Sequence, residues 1–330
     1  MSGLLQLSGI VVDLVHVIDR LPAAGEEVET AEFRMTAGGG FNAMAAARRM
    51  GIDVTYGGVL GEGPLADIAS RGLAEEAIRI ASSRRAAIDQ GSCAVLVDRS
   101  GERSFITHHG AEREVDIGHL EALGAASCDF ALLTGYSLYK PRSAAAFLTW
   151  LSTLARPPLV FFDPGPVVAD LPRSALEKVI ERADWISANA VEARVLTGEA
   201  DPARAAEQLS AGRKGALVRR GADGCWLGLS GEATHVPGFA VEAIDTNGAG
   251  DTHDGVFIAA LILGFGPPDA AIIANAAAAL STTRFGPATA PEAHDIRLFL
   301  AARGATLAAP GNWERVQPGT TDAHKQEESA

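Results

Sequence analysis

Short apolar runs alternate along the chain with longer stretches in which apolar residues recur every three or four positions. The runs at 4–10 (LLQLSGI), 53–60 (DVTYGGVL), 129–135 (DFALLTG), 158–165 (PLVFFDPG), 184–189 (DWISAN) and 215–221 (GALVRRG) read as strands. Several are apolar at nearly every position, as in a parallel sheet covered on both faces. Between them, 41–51, 64–77, 141–155 and 202–212 carry helical spacing. Such alternation predicts an α/β fold with a doubly wound, mainly parallel sheet flanked by helices. Two regions break the rhythm: 11–37 and 92–107 look like β ribbon, with DRSGER as a hairpin turn, and together predict a small sheet projecting as a lid. Beyond residue 250 the chain becomes Ala-rich and apolar (GVFIAALILGFG, DAAIIANAAAALSTTRFG), which suits helices buried against the sheet. The expected division is one domain over 1–306 and a polar tail over 307–330, from which Trp313 could dock back. No internal repeat is evident.

Composition narrows the function classes. With 330 residues, 47% hydrophobic and 21% charged, the chain can bury a large core and is not disordered. A formal net charge of −13 without any Lys/Arg block argues against nucleic acid as a partner. Cys93, Cys128 and Cys225 are scattered, without a C-x-x-C pair, and read as reduced core thiols. The N-terminal stretch lacks a basic leader and no apolar run reaches the ~18 residues of a membrane span. The expectation is a soluble, cytoplasmic protein with no membrane contact.

Candidate chemistry concentrates in two glycine-rich stretches. In DTNGAGD (245–251), Gly248, Ala249 and Gly250 precede Asp251 at the mouth of an apolar helix. Small residues let backbone approach a ligand, and the amides of a helix start attract an anion. Asp251 could then take a proton from a hydroxyl while those amides stabilise a phosphoryl group. The competing reading is an ordinary helix start with an acidic first turn. In AGGGFNAMAAARRMG (37–51), Asn42 is either a helix cap or an amide that binds substrate hydroxyls beside bare backbone. Asp13 follows the first strand, where open α/β sheets place ligands.

The chain resembles the ribokinase (PfkB) family of carbohydrate kinases from about residue 4 to 305. DTNGAGDTHDGVF (245–257) matches the C-terminal family signature and AGGGFNAMAAARRMGIDVTYGGVLG (37–61) the N-terminal one. Asp13, DRSGERSF, FDPGP (162–166), NAVEARVLTG (189–198) and VRRGADG (218–224) match further landmarks. The resemblance implies a ribokinase-like fold with a β lid and transfer of the γ-phosphate of ATP to a hydroxyl of a sugar or related polyol. It implies Asp251 as the base, the amides of Gly248, Ala249 and Gly250 as the anion hole, and Asp13, Gly39 and Asn42 as holders of substrate hydroxyls. On the nucleotide side it implies Asn189, Gly221, Gly224 and, near the adenine, Asn275. Glu192 would help organise Mg2+ through water. The resemblance also admits a monovalent cation such as K+ and a homodimer formed through the lid.

Departures from the family pattern bear on the acceptor. Gly39-Gly40-Phe41 stands where ribokinase itself has Gly-Lys-Gly, and Phe41 offers an apolar wall for a sugar face or a base. His253 and Asp254 replace an aromatic and a small polar residue, Val256 stands where a smaller residue is typical, and Ala37 replaces a glycine. The acceptor is therefore open among sugars, sugar acids and nucleosides. The nearest rival is a nucleoside kinase of the same fold; a non-catalytic sugar-binding protein is a second. A dinucleotide enzyme would rest only on GEGPLA (61–66), which reads better as a structural turn, and no Walker A motif is present. His108-His109 reads as a solvated loop or lid edge, Arg103 as a surface charge or a phosphate contact, and Tyr136 and Tyr139 as pocket lining or packing.

Overall fold

The first apolar run does not stay one strand. The computed structural model describes residues 3–99, 101–123, 128–286, 288–308 and Trp313; in it β1 (Gly3–Gln6) stops at Gln6 and β2 (Ile10–Ile18) starts after a tight turn. The Gln6 side chain makes that turn: its Oε1 accepts from Ser8 N and its Nε2 donates to Gly40 O. A Cβ on Gly9 would lie 2.5 Å from Glu112 Cβ, so only glycine fits where the chain leaves the main sheet for the lid.

The lid is the four-stranded sheet expected from 11–37 and 92–107. Its order is β3 (Thr30–Gly39), β2, β6 (Ser92–Val97) and β7 (Arg103–His108). The DRSGER turn closes through Gly101 N donating to Asp98 O, with Gly101 at φ 82°. Register places Thr36 beside Asp13, Asp13 beside Cys93 and Cys93 beside Thr107, one polar row across all four strands.

The main sheet has nine strands. Its centre runs β11 (Gly215–Arg219), β10 (Trp185–Asn189), β9 (Leu159–Asp163), β8 (Phe130–Thr134), β1 and β4 (Asp53–Tyr56), all parallel. The short β5 (Arg79–Ile80) lies at one edge, and β12 (Gly224–Leu229) with β13 (Glu232–Pro237) forms an antiparallel hairpin at the other. Side-chain alternation splits the core in two, as a doubly covered sheet requires. Leu4, Phe130, Leu132, Phe161 and Leu217 enter one cluster; Leu5, Ala131, Leu133, Phe162 and Val218 enter the other. Against the first face pack α1 (Gly40–Arg49), α8 (Ala249–Ile262), α9 (Pro267–Ser281) and α10 (Ala293–Ala302). The second face takes α4 (Pro141–Thr153), α5 (Arg173–Arg182) and α7 (Pro202–Ser210). Helices α1 and α8 approach to backbone contact, since a Cβ on Gly255 would sit 2.2 Å from Ala43 O.

Helix boundaries at 41–51, 64–77, 141–155 and 202–212 hold to within a few residues of α1, α2 (Pro64–Glu75), α4 and α7. Trp313 does dock back: its ring meets Phe265 edge-on at 4.9 Å, and Arg297 lies over it. Apart from 307–308 and Trp313, the polar tail lies outside the described residues. Among the described residues no helix is long and apolar enough to cross a membrane.

Candidate active site

Helix α8 begins without a side-chain cap. Its N-cap is Gly248 in the left-handed region at φ 71°, followed by Ala249, Gly250 and then Asp251 in the first turn. The contrast with α6 (Ala190–Thr197) is instructive: there the Asn189 side chain accepts from Val191 N and Glu192 N, and Asn189 N donates to the Glu192 carboxylate. The start of α8 thus keeps its dipole and small residues turned toward whatever enters the crevice. Asp251 is half-buried and accepts at Oδ2 from Asn42 Nδ2 at 3.1 Å. Burial pushes its pKa up to about 6, with the Asn42 bond opposing, Asp254 raising and Arg219 lowering it.

Asn42 is not a helix cap. The cap position of α1 is Gly39, at φ 60°, and Asn42 is buried in the following turn with its amide aimed at Asp251. Its Oδ1 is buried with no hydrogen-bond partner among the described residues. Phe41 does not provide the expected wall: it is buried in the core, and a Cβ on Gly72 of α2 would lie 3.5 Å from its ring.

Asp13 reaches the same crevice from the lid. It is buried, and its pKa is pushed up to about 7 by burial first and by the charge of Asp251 second. A Cβ on Gly38 would stand 2.1 Å from Asp13 Oδ2, so the glycine there makes room for the carboxylate. Asp13, Gly39, Asn42 and Asp251, expected to act together, are therefore gathered at the junction of β2, β3, α1 and α8.

Beneath the Gly248–Gly250 turn lies a buried charge cluster that sequence reasoning missed. Arg219, at the end of β11, donates from Nη1 to Asp254 Oδ2 at 2.9 Å and to Gly250 O at 3.1 Å. Its Nη2 donates to Asp163 Oδ2 at 3.1 Å and stands 3.6 Å from Glu192. Ser187 Oγ donates to Asp254 Oδ1. Although burial opposes charge, Arg219 keeps its proton, its pKa raised by the three carboxylates. Asp254 is held at about 2: burial works against the charge, and Arg219 outweighs it. Burial pushes Asp163 well above its usual range, with Arg219 opposing. The landmarks FDPGP and VRRG contain two of these residues, Asp163 and Arg219, and the unusual Asp254 was the third signal.

Of the residues expected near the nucleotide, Gly221 (φ 56°) has open space where a Cβ would point, whereas a Cβ on Gly224 (φ 88°) would strike Val236 O at 2.2 Å. Asn275 is buried with both ends engaged: Nδ2 donates to Val236 O and Pro237 O, and Oδ1 faces His253 Nε2 at 3.1 Å. It acts on the β13 end through those carbonyls. Glu192 has both oxygens on Asn189, at 2.7 Å each. Among the described residues no three His, Cys, Asp or Glu side chains converge as metal ligands. This donor set would fit a Mg2+ carried by the nucleotide, for which Glu192 would supply a carboxylate near the metal's water and the metal would supply charge neutralisation.

The remaining candidates sort plainly. At 61–66, Asp89 accepts from Leu65 N and Ala66 N, so the start of α2 is filled by a protein carboxylate and is a structural turn. Tyr136 lies against Gly165 with its side chain half exposed; Tyr139 packs under Arg113 at 4.3 Å. His109 stands 3.5 Å from Glu112, and His108 is exposed at the end of β7. Arg103 is neither a surface charge nor free: it pairs with Asp245.

Comparison with known proteins bears on this geometry. A family described as pfkB family carbohydrate kinase matches residues 4–294. An uncharacterised sugar kinase of Escherichia coli, YegV, is 27% identical over 305 residues, covering 90% of this chain and 94% of that protein. An ATP-dependent ribose-1-phosphate kinase of Halopiger xanaduensis is 30% identical over 303 residues, covering 88% and 95%. The crystal structure of a putative ribokinase II from E. coli, in its apo form, superposes with a TM-score of 0.82 at 26% identity, covering 92% of this chain and 100% of that one.

Proposed function

The chain belongs to the pfkB family of carbohydrate kinases, phosphotransferases with an alcohol acceptor, and from that premise we propose that it moves the γ-phosphate of ATP to a hydroxyl of a small polyol, with Asp251 as the base. The observation that carries the reading is the uncapped start of α8, where the small residues Gly248, Ala249 and Gly250 stand beside a carboxylate whose pKa burial raises to about 6, still ionised at neutral pH.

Asp13 and the free Oδ1 of Asn42 hold acceptor hydroxyls, with Gly39 giving the backbone room to approach. One hydroxyl is thereby directed at Asp251, which takes its proton as the oxygen forms its bond to the γ-phosphorus. The bond from that phosphorus to the β–γ bridging oxygen breaks, and the electron pair leaves with ADP. Amides at the start of α8 bear the charge on the transferring group, and Arg219 fixes that turn through Gly250 O. Bound Mg2+ would supply charge neutralisation on the phosphates. Asn189, Glu192, Gly221 and Gly224 shape the nucleotide side, and Asn275 supports it through the β13 carbonyls.

Two carboxylates, Asp13 and Asp251, face the reacting end of the acceptor, so that end is a neutral polyol and any acid group lies away from it. A cavity of about 400 Å3, lined by Val15, Arg34, Met35, Thr36, Phe285 and Gly286, continues from the Thr36–Asp13 row. It favours a second reading, a sugar carrying a further group such as a base or a phosphate, over a free sugar. The lid exposes Phe33, Met35 and Ile106 on the face opposite Asp13, and a homodimer through that face is part of the proposal. The test is ADP release from Mg·ATP across pentoses, hexoses, sugar acids, sugar 1-phosphates and nucleosides. Turnover with one class names the acceptor; bound ATP with silence across the panel would leave a sugar-binding protein without transfer.

A further inference from the structure

Arg103 opens β7 at the lid edge, yet its guanidinium leaves the lid and pairs with Asp245, 142 residues on, the first residue of DTNGAGD. The pair is not a surface contact, since the two side chains are only 15% and 3% exposed. Asp245 gathers three segments on one carboxylate. Oδ1 accepts from Arg103 and, at 2.7 Å, from Asn247 N in the turn before α8; Oδ2 accepts from Gly286 N at 2.9 Å in the loop after α9. Phe285, beside Gly286, packs on the lid underside against Val15, Cys93, Val95 and Val97, and Arg34 lies over its ring. Lid and anion-hole turn therefore meet at one buried ion pair with an apolar contact next to it.

We infer that Arg103 is a positioning residue for phosphoryl transfer, tying the seating of the lid to the shape of the Gly248–Gly250 turn; the inference rests on the reading of that turn as the anion hole. When the lid lifts, Asp245 loses its only side-chain cation among the described residues and becomes a buried carboxylate with two backbone donors and no counter-charge. The Asp245–Asn247 bond that sets the turn then loosens. The amide cradle is complete only under a seated lid, so bound ATP meets a competent site when an acceptor is enclosed and not when water fills the crevice.

The test is amide hydrogen exchange on the full chain, which needs no acceptor and so stands whatever the turnover panel returns. In Arg103→Met, exchange should quicken about tenfold at 245–248 and at 286 as well as in the lid strands, with β8 and β9 unchanged. Arg103→Lys should restore most of the protection. Asp245→Asn is the second variant, should Arg103→Met fail to fold, and should give the same paired loosening. A lid that loosens while 245–248 exchanges as in wild type, or no change at either place, would overturn the inference.

Discussion

Asp13 and Asp251 both titrate well above an ordinary aspartate, at about 7 and about 6, because the crevice strips water from them and, at Asp13, because the other charge is near. A base must be ionised to accept a proton, so turnover should rise with pH through about 6 to 7 and level off above. Asn42→Ala removes the bond that favours the Asp251 carboxylate, so the acidic limb should move to higher pH, and the acceptor KM should rise more than that of ATP. Steady-state profiles on the acceptor from the panel would check both; an unmoved limb would remove Asn42 from the machinery. Stability follows the opposite sign. Asp13 has a folded pKa above its unfolded value of 3.8, so the folded state holds the extra proton between 3.8 and about 7, and stability falls as pH rises through that window. The move corresponds to roughly 4 kcal/mol, and partial water access brings the expectation to about 2 kcal/mol. Asp13→Asn should therefore match wild type in urea at pH about 4 and exceed it by about 2 kcal/mol at pH about 8. A difference independent of pH would show that Asp13 is not held neutral by its site. Asp251, Gly248 and Asn42 were legible in sequence because each sits in a contiguous glycine-rich run; the Asn42–Asp251 bond, across 209 residues, was not.

At the scale of elements, the two helix starts that face the crevice are built differently, and the proposed transfer uses the difference. Helix α6 is closed by Asn189 and Glu192, while α8 is left open and is steadied from below by Arg219. Arg219 joins β11 to β9 and α8, so Arg219→Met strands Asp163 and Asp254 and should cost about 3 to 5 kcal/mol. Adding Asp254→Asn should recover part of that loss, because it removes one uncompensated charge; strictly additive losses in thermal unfolding would show that the two residues do not share a network. The members of this cluster lie in sequence landmarks, but their pairing could not be read from sequence, because its bonds span 35 and 56 residues. Local signals were better guides. The strands of the parallel sheet show as apolar runs. The β12–β13 hairpin was missed although Ser230 and Gly231, at φ 52° and 83°, are the turn chemistry that such a hairpin needs. The run at 4–10 was read as one strand because a glutamine that folds back on its own turn looks, in sequence, like any half-buried strand residue.

The whole molecule is a sheet-and-helix body with a second sheet laid over its crevice, and two sequence features foretold the second sheet: where the alternation broke and where the DRSGER turn fell. What joins the two sheets, Arg103 to Asp245 and Phe285 to the lid underside, depends on the packed fold and left no trace in local pattern. If the exposed lid face is where two copies meet, Met35→Glu with Ile106→Glu should give a monomer by light scattering where wild type gives a dimer; a monomeric wild type would end that proposal. The central claim, phosphoryl transfer with Asp251 as base, is tested most directly by Asp251→Asn with Mg·ATP binding followed by calorimetry beside turnover. The account predicts turnover reduced about 10^3-fold, loss of the acidic limb, and ATP affinity close to wild type. Turnover above a tenth of wild type, or an acidic limb that persists near pH 6, would place the base elsewhere.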